Sequence, residues 1–446
     1  MCARTSSALL AACFLAAGAP ALARGAVRAE AVAAEETFLA SDALQGRGSA
    51  TRDEAIAAAY VASQFQAAGL TPAPGMTGYL QPARVVRPRL AGAPVLTVAG
   101  VPASGLTLLT ASGPVSGKLV VAQTLAAVPP GTEVLLLAGP LDMAGLRSIS
   151  RTEGPKLIVV RESDETRARY RQNGGVPRMS AYLEETGPQA GLTIATLPDG
   201  EIDALARHAG ATMTLDLPLT REVSVTTNAI GYIRGRDGKA GTLLFSAHLD
   251  HLGVRPDGIV MHGANDDASG TVAVIELARA MARGKPPKRS LLFVAYGSEE
   301  IGLFGSTYFG AHPPVPLDQI VANLEFEMIG AQDPKLPKGA LMMTGYERSD
   351  FGRTMKAHGA PVTADIYPEQ HYFERSDNYA LAKRGIVAHT VSGWGPVPTY
   401  HQPTDTLANL DLDFMTHAIK GLVQPLRWLA NSDFRPQWVD GQSPQG

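Results

Sequence analysis

The sequence contains little cysteine and no large excess of charge of either sign. Its 446 residues include 2 cysteines, Cys2 and Cys13, both close to the N-terminus. Without other thiols, the rest of the chain has no cysteine chemistry, so any metal site there must use histidine and carboxylate ligands. The formal net charge of -3 gives no basic excess, and we therefore expect no nucleic-acid partner.

Long hydrophobic runs are also scarce, and the one near the N-terminus is interrupted. Ala8–Leu22 is apolar but contains a glycine and a proline, so it is too short to span a membrane. Arg4 precedes it and small residues end it, which predicts a signal peptide over residues 1–23 and a secreted or periplasmic protein. Lipid attachment at Cys13 is an alternative, disfavoured because the apolar run continues beyond that cysteine.

The remaining chain is long enough for two or three domains, and two sequence patterns divide it. Residues 24–89 and 216–435 alternate strand-like and helix-like segments. This pattern predicts an α/β domain with a mixed, mainly parallel sheet flanked by helices. Residues 90–215 carry short β-like runs separated by glycine and proline, which predicts a smaller, β-rich inserted domain. Residues 436–446 are expected to form a C-terminal tail.

In the α/β region, apolar runs predict four strands, at 243–247, 291–296, 320–326 and 386–391. Helical spacing predicts helices over 270–282, with Ser269 as the N-cap, and over 414–429. Ligands of such sheets gather at the carboxyl ends of the strands. The residues that follow each strand are therefore the place to look for chemistry.

Nine of the ten histidines fall between residues 248 and 417, a region that also places carboxylates directly after the expected strands. The candidates, in chain order, are His248, Asp266 in the glycine-rich loop 263–270, the pair Glu299 and Glu300, Glu327, and His401. Histidines and carboxylates without cysteine are typical of a hydrolytic metal site, and such a set can hold two ions.

Supporting roles follow from the same positions. One member of the pair Glu299 and Glu300 could bind metal while its neighbour accepts a proton from water. Asp250 could orient His248 by accepting its second ring N–H. Each motif alone is weak, because a single His-x-Asp is usually structural and a Glu-Glu pair usually lies on the surface. Only the ordered combination favours a metal site.

The segments that carry this combination resemble peptidase family M28, a family of zinc peptidases. The matching stretches are Ser246–Gly253, Gly263–Gly270, Gly297–Ser306, Asn323–Gly330, Arg375–Asp377, Lys383–Ile386 and Tyr400–Thr406, with Phe38–Arg47 near the N-terminus. The resemblance implies an exopeptidase with two Zn²⁺ ions that hydrolyses peptide bonds, and an aminopeptidase is the favoured subtype. Residues 90–215 resemble the protease-associated insert of some members, which would shape the substrate site.

Carried over by position, the resemblance implies that His248 and Glu327 hold one zinc ion. Glu300 and His401 would hold the other, and Asp266 would bridge the two. A water between the ions would attack the peptide, with Glu299 as the general base. The sequence departs from the family at Glu327, where many members have aspartate, and at Asn378, where histidine is common.

Three rival functions remain open at this stage. A carboxypeptidase of the same fold needs a cation for the substrate carboxylate, and Arg375 or Arg384 could supply it. A glutaminyl cyclase would need only one zinc ion. A non-catalytic, receptor-like domain would have lost metal ligands, whereas every ligand position here carries a competent residue. The sequence predicts a peptide substrate and leaves the oligomeric state open.

Overall fold

The computed structural model describes residues 27–141, 143–149 and 154–444. The predicted signal peptide over residues 1–23, together with the alternative lipid site at Cys13, lies outside the described residues. A search of the described helices finds none that is long and apolar enough to cross a membrane.

The α-helices that bound the sheets vary from short turns to the long C-terminal helix. In chain order they are α1 (Ala29–Leu39), α2 (Arg52–Ala67), α3 (Met143–Ile149), α4 (Asp164–Gln172), α5 (Asp199–Leu205), α6 (Ser269–Met281), α7 (Phe304–Ala311), α8 (Phe351–Ala357), α9 (Asn378–Ala382) and α10 (Leu412–Asn431). The Thr51 side chain caps α2 by accepting from two backbone amides, and Asp411 caps α10 by accepting from the backbone amide of Phe414.

The strands are β1 (Leu80–Leu90), β2 (Val95–Val98), β3 (Val101–Pro102), β4 (Thr107–Ala111), β5 (Val115–Ala122), β6 (Val134–Leu137), β7 (Leu157–Arg161), β8 (Arg178–Met179), β9 (Tyr182–Leu183), β10 (Thr193–Leu197), β11 (Thr212–Asp216), β12 (Leu219–Ile233), β13 (Thr242–His248), β14 (Gly253–Val254), β15 (Val260–Met261), β16 (Ser290–Tyr296), β17 (Ile320–Glu327), β18 (Leu341–Met343), β19 (Val362–Ala364) and β20 (Ala388–Ser392). They form two nine-stranded sheets and the small pair β14–β15.

The first sheet has the order β19-β18-β20-β17-β13-β16-β12-β1-β9. Its centre, β20-β17-β13-β16, is parallel, whereas β12, β1 and β9 pair antiparallel at one edge. The sheet is therefore mixed, with a smaller parallel share than the sequence pattern indicated. The difference arises because the chain leaves this sheet through β1 and returns through β12, which makes those two long strands antiparallel neighbours.

The central parallel strands are buried on both faces, which explains their nearly continuous apolar sequence. On one face, Leu243 and Phe293 pack in the cluster that contains residues of α1, α2, α6 and α10. On the other face, Leu244 and Leu292 pack with residues of α7 and α9. Each such side chain contributes roughly 1.5–3 kcal/mol by burial, so the site at the strand ends rests on a rigid base.

The second sheet has the order β3-β2-β11-β5-β6-β7-β10-β4-β8 and its own apolar clusters. It lies within the stretch 90–215 that the sequence separated from the rest. One part of that stretch, Tyr182–Leu183, pairs instead with β1 of the first sheet. The chain therefore passes between the two sheets four times, from β1 to β2, from β8 to β9, from β9 to β10 and from β11 to β12.

The helix over 269–281 differs in one respect from the sequence prediction. Ser269 was expected to cap it, but the helix begins at Ser269 and no side chain caps it. The Ser269 hydroxyl instead donates to the carbonyl of Asn265 and accepts from the amide of Ile329. The capping prediction is therefore wrong, because the turn Ala264–Ala268 directly before the helix uses this hydroxyl.

Candidate metal centre

The carboxyl ends of the central strands bring the candidate side chains together. His248 is the last residue of β13 and Glu327 the last of β17. Glu299 and Glu300 follow β16 after a short turn, and His401 lies in the loop after β20. Asp266 comes from the turn before α6, so five different chain segments meet at one edge.

Asp266 lies at the middle of this cluster, with one carboxylate oxygen toward each of two histidines. Its Oδ1 is 3.3 Å from His248 Nε2, and that nitrogen is 3.5 Å from Glu327 Oε1. Its Oδ2 is 3.2 Å from His401 Nε2, which is also 3.2 Å from Glu300 Oε2. The structure thus brings all five sequence-predicted ligands into two groups that share Asp266.

These separations fit a metal ion better than a hydrogen-bonded network. Two ligand atoms that each lie about 2.0–2.1 Å from one zinc ion are roughly 3.3 Å apart at a tetrahedral angle. Asp266 Oδ2 and Glu300 Oε1 are buried and have no hydrogen-bond partner among the described residues. Buried carboxylate oxygens without a partner are costly, and a cation would compensate them. The donor set therefore fits zinc.

The titration behaviour of the cluster reflects its excess of negative charge. Burial opposes the charged form of His401, but the neighbouring carboxylates of Asp266 and Glu300 raise its pKa to about 10. Burial also raises the pKa of Glu299 well above its ordinary value, with the neighbouring Glu300 adding to the effect. Protons and metal ions therefore compete for the same electron pairs at this centre.

Asp250 holds the two metal-binding segments in register. The Nδ1 of His248 lies 3.2 Å from the Asp250 carbonyl oxygen and 3.6 Å from its Oδ1. The Asp250 carboxylate accepts the backbone N–H of Glu299 at 2.9 Å and the Ser49 hydroxyl at 2.5 Å. Its position beside His248 is the one that the sequence indicated, and its link to the Glu299 backbone is an addition.

Two further aspartates, which were not predicted as ligands, hold the loops of the centre in place. Asp267 accepts the backbone amides of His248, Gly270 and Met328, which ties two strand ends to the start of α6. Asp405 accepts the amides of Asn265 and Asp266 at 2.8 and 3.0 Å. The sequence showed Asp405 in the motif after His401, but only the fold reveals which amides it binds.

Arg47 is a fully buried arginine that sequence reasoning left without a role. Its guanidinium donates to the carbonyl oxygens of Leu39, Leu249, His262 and Gly263. It therefore links the N-terminal segment to the residue after His248 and to the loop before Asp266. A turn-rich stretch such as 44–48 gives no sequence signal for this contact, because its partners are distant backbone atoms.

His251 is the second residue that the sequence missed. It is fully buried, and its Nδ1 lies 2.7 Å from Glu300 Oε1 and 3.7 Å from Asp266 Oδ2. Its ring meets that of His401 edge-on, with centroids 5.6 Å apart. The ligand atoms of His251, Asp266, Glu300 and His401 all lie within 4.8 Å of one another, as do those of His248, Asp267 and Glu327.

A cleft of about 660 Å³ leads to the centre and is walled by both sheets. Glu299, Glu300 and His401 form one wall, and residues 176–181 form another. A second cavity of about 320 Å³ adjoins Glu327; its further lining includes Met328, Met342, Tyr372, Arg375, Val397 and Tyr400. The centre is thus open to a substrate from one side and next to a partly apolar pocket on the other.

The two arginines considered for a substrate carboxylate differ in position. Arg375 lines the second cavity, with its guanidinium 5.0 Å from the Tyr372 ring and 5.9 Å from the Tyr400 ring. Arg384 is exposed and lies against Gly310 of α7. Only Arg375 is therefore placed to meet a substrate at this centre.

A buried cluster of two histidine–carboxylate groups at the strand ends of a mixed α/β sheet is an arrangement typical of metal-dependent hydrolases. Comparison with known proteins shows which families and structures this chain is similar to. The sequence model of peptidase family M28 matches residues 228–424, a range that includes the five predicted ligands, Asp250 and Glu299. Over these residues, which make up less than half of the chain, the sequence is similar to peptidase family M28.

Individual relatives agree with this family. Aminopeptidase YwaD of Bacillus subtilis (strain 168) is 25% identical over 233 residues, covering 48% of this chain and 49% of that protein. Leupeptin-inactivating enzyme 1 of Streptomyces exfoliatus is 35% identical over 241 residues, covering 48% and 49%. The chain spans about half, or less, of the length of the curated relatives it matches.

Solved structures show the same fold over most of the chain. The aminopeptidase from Aneurinibacillus sp. strain AM-1 superposes with a TM-score of 0.57 at 20% identity, covering 91% of this chain and 94% of that one. BSAP, a zinc aminopeptidase from Bacillus subtilis, gives a TM-score of 0.53 at 19% identity, covering 91% and 96%.

Proposed function

We propose that this chain is a zinc-dependent exopeptidase that removes residues from the amino terminus of peptides. The observation that carries the proposal is the position of Asp266 between two ligand groups, with Glu299 beside them in the cleft wall. That arrangement suits a pair of metal ions with a proton acceptor next to the substrate. The aminopeptidases among the relatives and solved structures support the subtype.

In this proposal the centre holds two Zn²⁺ ions. His248, Asp266 and Glu327 would hold one ion, while Asp266, Glu300 and His401 would hold the other. Bound zinc supplies Lewis acidity, which polarises the scissile carbonyl and makes an attacking water more acidic. Ser376 donates to Glu327 Oε2 at 2.7 Å, which leaves Oε1 facing His248. This contact supports Glu327 as a ligand in spite of its longer arm.

Glu299 is the proposed general base. Its raised pKa favours transfer of a proton from the attacking water to the carboxylate, and then from the carboxylate to the leaving amine. Asp250 fixes its backbone and the ring of His248, so both would keep their orientation during the reaction. Asp250 therefore acts as a positioning residue that touches neither the peptide nor the transferred proton.

The two cavities support one orientation of the bound peptide. The side chain of the first substrate residue would occupy the partly apolar cavity beside Met328 and Met342, and the remaining peptide would follow the 660 Å³ cleft. Residues 90–215 would act as an inserted domain that shapes the substrate site through residues 176–181. The predicted signal peptide supports a secreted or periplasmic location.

The role of Glu299 can be tested by Glu299→Gln. The variant should retain two zinc ions per chain by elemental analysis and lose roughly 10²–10⁴-fold in kcat, because only the proton acceptor is removed. Glu201→Gln, an exchange in α5 far from the cleft in sequence and absent from its lining, is the matched control. Near wild-type turnover in Glu299→Gln would exclude Glu299 as the base.

The subtype is decided by the direction of trimming. A peptide with free ends should lose residues from its amino terminus by mass spectrometry, and N-acetylation should block the loss while C-amidation should not. Carboxypeptidase activity is the second candidate, because Arg375 lies in the cavity beside Glu327. Trimming of the N-acetylated peptide from its carboxyl end, abolished in Arg375→Met, would replace the aminopeptidase proposal by that alternative.

A further inference from the structure

His251 lies in the wall of the metal centre that faces Glu300, and its backbone is held there by the N-terminal segment. Its amide donates to the carbonyl of Arg47 at 3.2 Å, and it forms a strand-like bridge with Gly48. The side chain is completely buried. The ring therefore has little freedom to turn away from the carboxylates that it faces.

The ring nitrogen that faces the cluster is placed as a ligand atom. His251 Nδ1 lies 2.7 Å from Glu300 Oε1 and 3.7 Å from Asp266 Oδ2. These two separations bracket the value of roughly 3.3 Å between neighbouring ligand atoms of a tetrahedral zinc ion. Neither ring nitrogen of His251, nor Glu300 Oε1, has a hydrogen bond of acceptable geometry among the described residues.

The loop opposite His251 leaves room for the ring in this position. Gly263 has a φ of 61°, and a side chain there would begin 2.4 Å from His251 Cγ and 2.2 Å from the carbonyl oxygen of Asp266. Only glycine therefore allows the imidazole to lie against the loop that carries Asp266. This close approach is independent of the distances to the carboxylates and points to the same placement of the ring.

We infer that His251 is a fourth protein ligand of the zinc ion that Asp266, Glu300 and His401 hold, so that the two ions are bound unequally. The inference rests on the proposed function in one respect, namely that the centre binds zinc. Four protein ligands close a zinc site, whereas three leave a position open for water or substrate. The ion near His251 is the tightly held one, and the ion of His248 and Glu327 is the exchangeable one.

His251→Phe tests this inference by keeping a buried ring and removing its lone pair. Wild type should retain two zinc ions after dialysis, released in two separate steps by increasing chelator. In His251→Phe, the affinity for the ion held by Glu300 and His401 should fall by more than about 100-fold, beyond the 10–100-fold typical of residues that only orient a ligand. His251→Asp returns a ligand atom to the branch position of Nδ1 and should restore tight binding.

The matched control is His389→Phe. His389 is also buried in the first sheet, but both its ring nitrogens are hydrogen-bonded, to Ser349 and to the Thr344 carbonyl, and it packs among aromatic rings. This variant should keep both ions. Thermal unfolding in excess chelator compares the metal-free proteins, so that lost folding is separated from lost binding.

Each result decides a different claim. Two zinc ions in wild type with unchanged affinities in His251→Phe would overturn the ligand role and leave the proposed function standing. No zinc in wild type would overturn the proposed function itself. If His251→Phe does not fold, His251→Leu, which also lacks a ligand atom, decides: weakened binding of one ion supports the inference, and wild-type binding contradicts it.

Discussion

The two large sheets have the same number of strands, yet among the described residues only the first carries a candidate metal centre. Beside the second sheet, Asp199 and Asp203 of α5 pair with Arg161 of β7 at the surface. At the edge of the first sheet, Asp266 and Glu300 face histidines and each other in a buried space. A carboxylate that is paired with an arginine is already compensated and needs no metal ion. Buried carboxylates that cluster together need a cation to compensate them. The difference lies in how the acids are compensated rather than in the strand arrangement.

The largest effect should come from breaking the shared ligand. Asp266→Asn removes a negative charge that faces both His248 and His401, so the affinity for both ions should fall by more than about 100-fold, with loss of activity. Elemental analysis after dialysis measures the effect. Asp203→Asn in α5, beside the second sheet, is the control and should change neither ion content nor activity. If Asp266→Asn retained two ions, the claim that both ions depend on the buried carboxylate of Asp266 would be wrong.

The next effect concerns stability. Arg47→Met leaves four buried carbonyl oxygens without their donor and should lower the free energy of unfolding by roughly 3–5 kcal/mol, measured by urea denaturation. Arg161→Met is the counterpart in the second sheet. Because its ion pairs are largely exposed, it should cost only about 0–1 kcal/mol. If both variants lost the same free energy of unfolding, burial would not explain the expected difference between Arg47 and Arg161.

A smaller effect is the pH dependence of stability in the metal-free protein. Burial lowers the pKa of His389 to about 4, so this histidine is neutral in the folded state and protonates more readily when unfolded. Its contribution is complete above about pH 6.5 and is lost as the pH falls toward 4, by up to roughly 3 kcal/mol. Comparison with His389→Gln should reveal this slope.

The smallest effect should come from changing a residue of the second sheet that lines the cleft. Arg178 of β8 lines the cleft, in the wall formed by residues 176–181. Arg178→Ala should therefore raise KM for a peptide a few-fold with kcat unchanged, since it removes binding that ground state and transition state share. Steady-state kinetics measure this, with Arg171→Ala in α4 as the control outside the cleft lining. A large loss of kcat instead would mean that residues 90–215 contribute to the chemistry.

Sequence patterns predicted the central strands and the residues that follow them well, because buried parallel strands are continuous apolar runs. The shared edge of His248, Asp266, Glu300, Glu327 and His401 followed from that order alone. The patterns could not reveal His251, which lies only three residues beyond His248. Nothing in the spacing distinguishes a ring that turns toward the cluster from one that packs elsewhere.

Contacts made through the backbone were equally out of reach. Arg47 binds four carbonyl groups, and Asp267 and Asp405 bind amides, so their partners could have almost any side chain. The mixed character of the first sheet depends on where the chain leaves and re-enters it, which local periodicity does not encode. These features follow from the tertiary path of the chain and therefore required the structure.

The central claim is that two zinc ions share Asp266 at the edge of the first sheet. Anomalous diffraction at the zinc absorption edge, from crystals grown with zinc, tests it most directly. Two anomalous peaks are expected, one among His248, Asp266 and Glu327 and one among His251, Asp266, Glu300 and His401. A single peak, or peaks away from Asp266, would contradict the claim.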